Sequence, residues 1–246
     1  MTTRSSRLSF LGRLGISFML LATVLLLASR AYADNISIGF QEANVNGGNI
    51  TTVQTGSGNA GILGLKYGSF TVNNVSAQDF AVLGVPGLLN SQSLDISSST
   101  PGTLTIWVTA QGLTFTGVQN FTSSFAVNDL SGSIVAVDET TYFSPTNGLF
   151  DTGQTMLNSA MFSKIGASGP FTTSGATSGL YSVTEEYQIF DIGGRGGDDN
   201  ITIDLNATAV TPEPGSLLLM GTGLALAGLV YYRRRNKRPR VLIRNA

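Results

Sequence analysis

Three pairs of adjacent acidic residues are the groups in this sequence best suited to chemistry: Asp138-Glu139, Glu185-Glu186 and Asp198-Asp199. Two carboxyl groups can share acid and base roles in glycoside hydrolysis, or bind a hard cation such as Ca²⁺. Neighbours on a β-strand point to opposite faces, so the first two pairs cannot each form one site unaided. Carboxylates from distant strands could still converge. We expect the first two pairs to be solvated charges at strand edges, and we expect no enzymatic activity.

The absence of cysteine and histidine narrows the available chemistry further. It excludes disulfides, thiol nucleophiles, zinc sites built on Cys or His, and every mechanism that needs an imidazole. A glycine pattern at 56–61 fits the dinucleotide fingerprint, but the residues after it favour a strand, whereas the fingerprint needs a helix. We therefore expect no cofactor.

Asp198 and Asp199 lie near the end of a glycine-rich segment, Gly193–Asn200, that partly resembles the calcium-binding nonapeptide of RTX proteins. That motif binds calcium between stacked copies, and one copy is present here. A turn in which glycine adopts positive φ is the favoured interpretation. Asp198 and Asp199 remain weak calcium candidates, and no metal site is predicted beyond them.

The charge distribution divides the chain into three parts. Residues 34–211 hold three basic and fourteen acidic residues, a net charge of −11, while the other eleven basic residues lie at the two ends. A surface this acidic repels nucleic-acid phosphates, so no nucleic-acid partner is expected.

The first 33 residues have the pattern of a cleavable signal peptide. Three arginines precede an apolar run at 14–28, and Ala31-Tyr32-Ala33 supplies a small-x-small site recognised by signal peptidase. Cleavage after Ala33 would leave an exported domain at residues 34–210.

A second apolar segment, residues 215–232, is predicted to be a transmembrane helix. It contains 18 uncharged residues, which as a helix would span about 27 Å. A basic cluster at 233–240 follows and places that side in the cytoplasm by the positive-inside rule. The cluster includes Arg233, Arg234, Arg235, Lys237 and Arg238. The precursor is thus expected to be anchored in the inner membrane with its domain outside.

Thr211-Pro212-Glu213-Pro214, the apolar helix and the arginines occur in an order and spacing that resemble the PEP-CTERM sorting domain. Pro212 and Pro214 hold the chain extended around Glu213, where a membrane enzyme could bind it. The resemblance covers residues 211–240. It implies recognition by an exosortase of a Gram-negative bacterium, cleavage near Pro212–Pro214, and delivery to the cell surface or to an exopolysaccharide matrix.

The middle of the chain alternates short apolar or Thr-rich runs with turn residues, which predicts an all-β domain, an antiparallel β-sandwich or jelly roll. Trp107 is expected in the core. The odd positions of 181–189 and of 201–207 each form an apolar face, which predicts an antiparallel hairpin. Met156–Ile165 is the one place where a short helix is considered. The expected strands are 36–40, 69–75, 103–109, 113–118, 124–130 and 133–137.

These features favour a structural, non-enzymatic surface or matrix protein, sorted through its tail and associated with exopolysaccharide or biofilm. The alternative is a membrane-anchored β-sandwich module that binds glycan or calcium. A hydrolase that uses carboxylates alone is the least favoured hypothesis.

Overall fold

A computed structural model describes residues 35–79, 81–82, 85–153, 155–193, 197–209, 221–226, 228 and 231–232. The chain divides into two units, residues 1–209 and residues 210–246. The described residues of the first unit form eleven β-strands and one short 3-10 helix, Asn46–Gly48. The strands are β1 (Asn35–Gln41), β2 (Thr51–Gly56), β3 (Asn59–Tyr67), β4 (Phe70–Gln78), β5 (Ala81–Val82), β6 (Val85–Ser98), β7 (Gly102–Ser131), β8 (Ile134–Ser144), β9 (Thr155–Phe162), β10 (Gly166–Asp191) and β11 (Asp198–Ala209).

All the strand pairs are antiparallel, and two long strands, β7 and β10, belong to two layers. The front layer has the order β2, β1, the start of β7 (102–111), the end of β10 (183–191), β8, β9. The back layer has the order β3, β4, β6, β11, the rest of β7 (113–131), the start of β10 (166–181). The all-β antiparallel architecture predicted from the sequence is confirmed, and the two layers are those of a β-sandwich.

Both long strands change layer at the same level. Gly112 has a φ of 78°, and the β10–β7 register shifts between Tyr181 and Val183. A glycine adopts positive φ without a steric penalty, and an irregularity in the ladder bends the strand that carries it. This bend lets one strand pair in the front layer and continue into the back layer.

The core lies between the layers and is built from the inward-facing alternate residues of each strand. Aromatic rings concentrate near the bend, where the Phe121 ring centroid lies 4.9 Å from that of Phe143 and 6.2 Å from that of Tyr181. Trp107 is buried, as predicted, but on the outer side of β7, where its Nε1 donates to Gln41 Oε1 at 3.2 Å.

Side-chain hydrogen bonds link the layers along both flanks. On one flank, Thr173 Oγ1 of β10 donates to the Leu157 carbonyl oxygen of β9 at 2.9 Å. On the other, the Tyr67 hydroxyl of β3 donates to the Phe40 carbonyl oxygen of β1 at 3.0 Å. The outermost strands β9 and β3 are therefore tied to the opposite layer by side-chain hydrogen bonds instead of a continuous ladder.

Two sequence-based expectations were wrong. Met156–Ile165 contains no helix, because residues 155–162 form β9 against β8. The runs at 181–189 and 201–207 are strands, but they do not form a hairpin with each other: β10 and β11 both pair with β7. Periodicity identifies the apolar face of a strand and leaves its partner open.

The six predicted strands are all present. Residues 36–40 lie in β1, residues 69–75 overlap β4, and residues 133–137 overlap β8. The three segments between 103 and 130 belong to one continuous strand, β7.

In the second unit, residues 221–226, 228 and 231–232 are helical. Within the described part of the chain, no helix combines the length and apolarity needed to cross a membrane. The predicted signal peptide and half of the predicted 215–232 helix lie outside the described residues.

Candidate functional site

The acid pairs on β8 and β10 divide between the two faces of the front layer. Glu139 and Glu185 point inward with no exposed surface, while Asp138 and Glu186 are half-buried on the outer face. The expectation of solvated edge charges is therefore wrong for Glu139 and Glu185. The reason is topological: β8 and β10 are interior strands of the front layer, and the back layer covers their inner face.

Strand register brings the two inward acids together. Glu139 of β8 lies directly opposite Tyr187 of β10, and Glu185 lies opposite Thr141. Glu139 and Glu185 are thus diagonal neighbours on one face, with Cα atoms roughly 7–8 Å apart, within reach of long side chains. Ser91 of β6 approaches the same place from the back layer.

Ser91, Tyr187 and Glu185 form a buried hydrogen-bond chain. The Ser91 hydroxyl donates to Glu185 Oε2, and Ser91 Oγ lies 2.6 Å from the Tyr187 hydroxyl oxygen, which also accepts from the Ile203 backbone N–H at 3.2 Å. Because the hydrogen of Ser91 is given to Glu185, Tyr187 must donate to Ser91. Every donor in this chain points toward the Glu185 carboxyl group.

Glu139 has no such support. Both of its carboxyl oxygens, and Oε1 of Glu185, are buried without a hydrogen-bond partner. Burial, followed by the charge of Asp138, raises the pKa of Glu139 to about 9. Burial also raises the pKa of Glu185 well above its ordinary value, against the opposing effect of the Ser91 hydrogen bond. We call Glu139, Glu185, Tyr187 and Ser91 the interlayer acid site.

A second polar group lies on the outer face of the front layer. Tyr142 donates to Glu186 Oε2 at 2.7 Å, and burial raises the pKa of Glu186. Register places Trp107 opposite Glu186, and Gln188 opposite Asp138. The outer face therefore carries aromatic, carboxyl and amide groups side by side.

The calcium candidates Asp198 and Asp199 point in different directions on β11. Asp198 is exposed, whereas Asp199 is buried: its Oδ1 accepts from the Ile96 backbone N–H at 2.6 Å, and its Oδ2 accepts from Ser93 at 3.2 Å. Burial raises the pKa of Asp199 to about 7. Among the described residues, no group of three or more Asp, Glu, His or Cys side chains could hold a metal ion.

The predicted sorting and cleavage residues lie outside the described residues. These are Ala31, Ala33, Pro212, Glu213, Pro214, Arg233, Arg234, Arg235, Lys237 and Arg238. Strand β11 ends at Ala209, shortly before the prolines.

Sequence reasoning missed the interlayer acid site although one signal was present. Glu185 occupies an odd position between Val183 and Tyr187, so the same alternation that predicted an apolar face also placed this acid on it. Ser91 carried no comparable signal, because its role depends on the contact between the two layers.

Comparison with known proteins identifies the tail. The PEP-CTERM protein-sorting motif matches residues 210–235. The sequence-based resemblance is thereby confirmed: the chain carries this motif. No curated protein matches the chain.

The fold resembles several solved structures at low similarity. TmCBM61 in complex with beta-1,4-galactotriose has a TM-score of 0.26 and 12% identity, over 55% of this chain and 81% of that one. The adhesin domain of Epf from Streptococcus pyogenes has a TM-score of 0.32 and 8% identity, over 74% and 64%. The PA14 sugar-binding domain from an RTX adhesin has a TM-score of 0.25 and 11% identity, over 70% and 89%. At these TM-scores, the likenesses carry no argument about function.

Proposed function

We propose that this chain is an exported structural protein that an exosortase sorts through its tail to the cell surface or extracellular matrix. The observation that carries the proposal is the PEP-CTERM motif at 210–235, which begins one residue after the last strand ends at Ala209. Cleavage within the motif would leave all eleven strands intact. The predicted signal peptide at 1–33 and the acidic domain fit an exported product that is released from the membrane.

The proposal is tested by expressing the chain in its host with and without the exosortase gene. We expect the intact mass of the mature protein to show loss of the C-terminal tail only when the exosortase is present. The matched control replaces Pro212, Glu213 and Pro214 by alanine, which should block processing and keep the chain in the membrane fraction. A C-terminus that is identical with and without the exosortase would overturn the sorting proposal.

The same proposal assigns no catalysis to the domain. Glu139 and Glu185 share one face but are fully buried between the layers, so a glycan chain has no access to them. We expect the purified protein not to hydrolyse envelope polysaccharides. Hydrolysis by the unmodified protein that is lost in the Glu186→Gln variant would contradict the non-enzymatic role.

A second candidate function is glycan binding by the outer face of the front layer, whether the chain stays anchored or is released. Tyr142 and Glu186 are half-buried and hydrogen-bonded to each other, next to Gln188 and Asp138. Side chains of these types can donate to and accept from sugar hydroxyl groups while an aromatic ring supplies apolar contact. Titration calorimetry with envelope polysaccharides should show binding that Tyr142→Ala abolishes. The Asp198→Ala variant, altered on another strand, serves as the control.

A further inference from the structure

We propose that the interlayer acid site binds one divalent cation, Ca²⁺, between the two layers of the β-sandwich. Neither the sorting motif nor the fold comparison assigns this site, and the inference does not depend on the proposed function. It rests on three observations: the direction of the buried hydrogen-bond chain, the unpartnered carboxyl oxygens, and the lack of a cationic side chain to balance them among the described residues.

The hydrogen-bond chain is compatible with an ionised Glu185. The Tyr187 hydroxyl donates to Ser91, and Ser91 donates to Glu185 Oε2. If Glu185 were protonated at this oxygen and donated to Ser91, either Ser91 or Tyr187 would keep a hydroxyl hydrogen without an acceptor, because the described contacts of these two groups offer no other acceptor. A carboxylate at Glu185 satisfies every donor in the chain.

An ionised Glu185 needs a positive charge nearby, and Glu139 increases that need. Both oxygens of Glu139 and Oε1 of Glu185 are buried with no hydrogen-bond partner. A protonated Glu139 would leave its own O–H unsatisfied, and an ionised one would leave a second negative charge in the core. Either state is costly in a buried position without compensation.

No described basic side chain supplies that compensation. Lys66 and Lys164 are the lysines of the described strands and turns, and both are exposed. The charges that act on Glu185 come from Asp204 and Glu139, both of which oppose its ionisation. Since no described side chain balances two carboxylates at this site, we take the positive charge to come from a cation in solution.

Ca²⁺ matches the chemistry of the site. All of the groups that converge there present oxygen, and two carboxylates balance a divalent charge. Three carboxyl oxygens are free of hydrogen bonds, and buried water can complete the six to eight oxygen ligands that Ca²⁺ takes. Mg²⁺ fits less well because it demands near-ideal octahedral geometry and gives up its own water reluctantly.

The site is covered on both sides, so the ion would enter while the layers assemble. The test therefore unfolds the full chain in detergent and denaturant, then refolds it either with CaCl₂ or with a chelator. We expect the calcium-refolded protein to contain one calcium per chain by elemental mass spectrometry, and to have a midpoint of thermal unfolding at least 5 °C above the chelator sample. If the unmodified chain binds no calcium, or if its unfolding midpoint does not rise with calcium, the proposal is overturned.

Two variants and a matched control localise the effect. Glu139→Gln and Glu185→Gln keep the shape of the side chain and remove its charge, so both should lose the bound calcium and the calcium-dependent shift. Glu186→Gln, the neighbouring acid on the outer face, should keep both. Calcium retained in Glu139→Gln and Glu185→Gln would place the ion elsewhere and refute the assignment. If either variant fails to refold, the calcium content of the unmodified chain still decides the proposal.

Discussion

Asp198 and Asp199 are adjacent in the sequence, yet the structure gives them opposite environments. Asp199 ties β11 to β6 by accepting hydrogen bonds from Ile96 and Ser93, while Asp198 is exposed to solvent. Burial, followed by the opposing effects of those two hydrogen bonds and the repulsion of Asp95, sets the pKa of Asp199 at about 7. The folded state thus holds a proton on Asp199 at pH values where the unfolded chain has released it.

This difference predicts a pH dependence of stability with a definite sign. A carboxyl group whose pKa is raised on folding contributes most below its unfolded value of 3.8, and that contribution falls as the pH rises toward about 7. Between pH 4 and pH 7, the free energy of unfolding should decrease by about 1 kcal/mol per pH unit from this group. Denaturant unfolding in the presence of a chelator measures it. Asp199→Asn should reduce the slope by about 1 kcal/mol per pH unit, because the other buried carboxyl groups keep their own contributions, and Asp198→Asn should leave the slope unchanged. Equal slopes in all three proteins would contradict the prediction.

For individual residues, the sequence identified the acid pairs of interest, but it did not predict which of these acids are buried. Asp138-Glu139 and Glu185-Glu186 could be recognised as noteworthy pairs, and the alternation rule correctly implied that each pair splits between two faces. Which face is covered depends on β8 and β10 being interior strands, and that is decided by pairings between residues far apart in the chain. Local pattern therefore could not show that Glu139 is buried.

At the level of secondary structure, the flank between β9 and β10 depends on side chains rather than on a ladder. Thr173 Oγ1 donates to the Leu157 carbonyl oxygen, whereas Thr172 on the opposite face of β10 is exposed and contacts Thr122. Losing the first contact loosens one edge of β9, whose described ladder is with β8, and leaves a longer contact from Asn158 Nδ2 to the Phe171 carbonyl oxygen at 3.5 Å. The two neighbouring threonines thus form a matched pair for mutation.

We expect Thr173→Val to loosen β9 selectively. Valine keeps the shape of threonine but cannot donate, so the Leu157 carbonyl oxygen loses a half-buried hydrogen bond at a cost of about 1 kcal/mol. Hydrogen exchange followed by mass spectrometry should show faster exchange in peptides covering 155–162, while peptides from β11 stay protected. Thr172→Val should change neither region. Faster exchange throughout the domain would indicate general destabilisation and contradict the local role.

A glycine in β10 shows how closely the layers pack. A Cβ added at Gly175 would lie 2.8 Å from Phe121 Cε2 and 3.4 Å from Phe143 Cδ1, both ring atoms of the aromatic cluster. Gly175→Val should therefore overpack this region and lower the free energy of unfolding by about 1–3 kcal/mol. Ala176→Val, at the exposed next position, should cost less than about 0.5 kcal/mol. Denaturant titration of the two variants measures the difference, and equal losses would refute the packing argument.

The strands themselves were largely predictable, but their connectivity was not. Alternating residues marked segments of β7 at 103–109, 113–118 and 124–130 because each segment buries alternate side chains. Their union into one 30-residue strand depends on glycines that bend the chain without ending it, and glycine reads as a turn signal in sequence. The expected hairpin failed for a different reason: alternation marks the apolar face of β10 and of β11 but does not show that β7 lies between them.

Considered as a whole molecule, the chain places its last strand in the interior of the sandwich and its sorting motif immediately afterwards. β11 lies between β6 and β7 in the back layer, and Ile201, Ile203 and Leu205 are fully buried there. The buried apolar residues of the described chain all fall between Ile36 and Ala207. Cleavage after residue 209 would thus remove none of them.

Two truncations test whether the domain is complete without its tail. A chain that ends at Ala209 should unfold at a temperature within about 2 °C of the full chain, since it retains every strand and the whole described core. A chain that ends at Asn200 should fail to fold. It loses four buried side chains, of which Ile201, Ile203 and Leu205 each contribute roughly 1.5–3 kcal/mol, and leaves backbone groups of β6 and β7 unpaired. That loss is comparable to the 5–15 kcal/mol that typically separates folded from unfolded domains. Circular dichroism and calorimetry distinguish the outcomes. A chain ending at Ala209 that is unfolded would show that the tail is part of the fold, which is incompatible with sorting by removal of the tail.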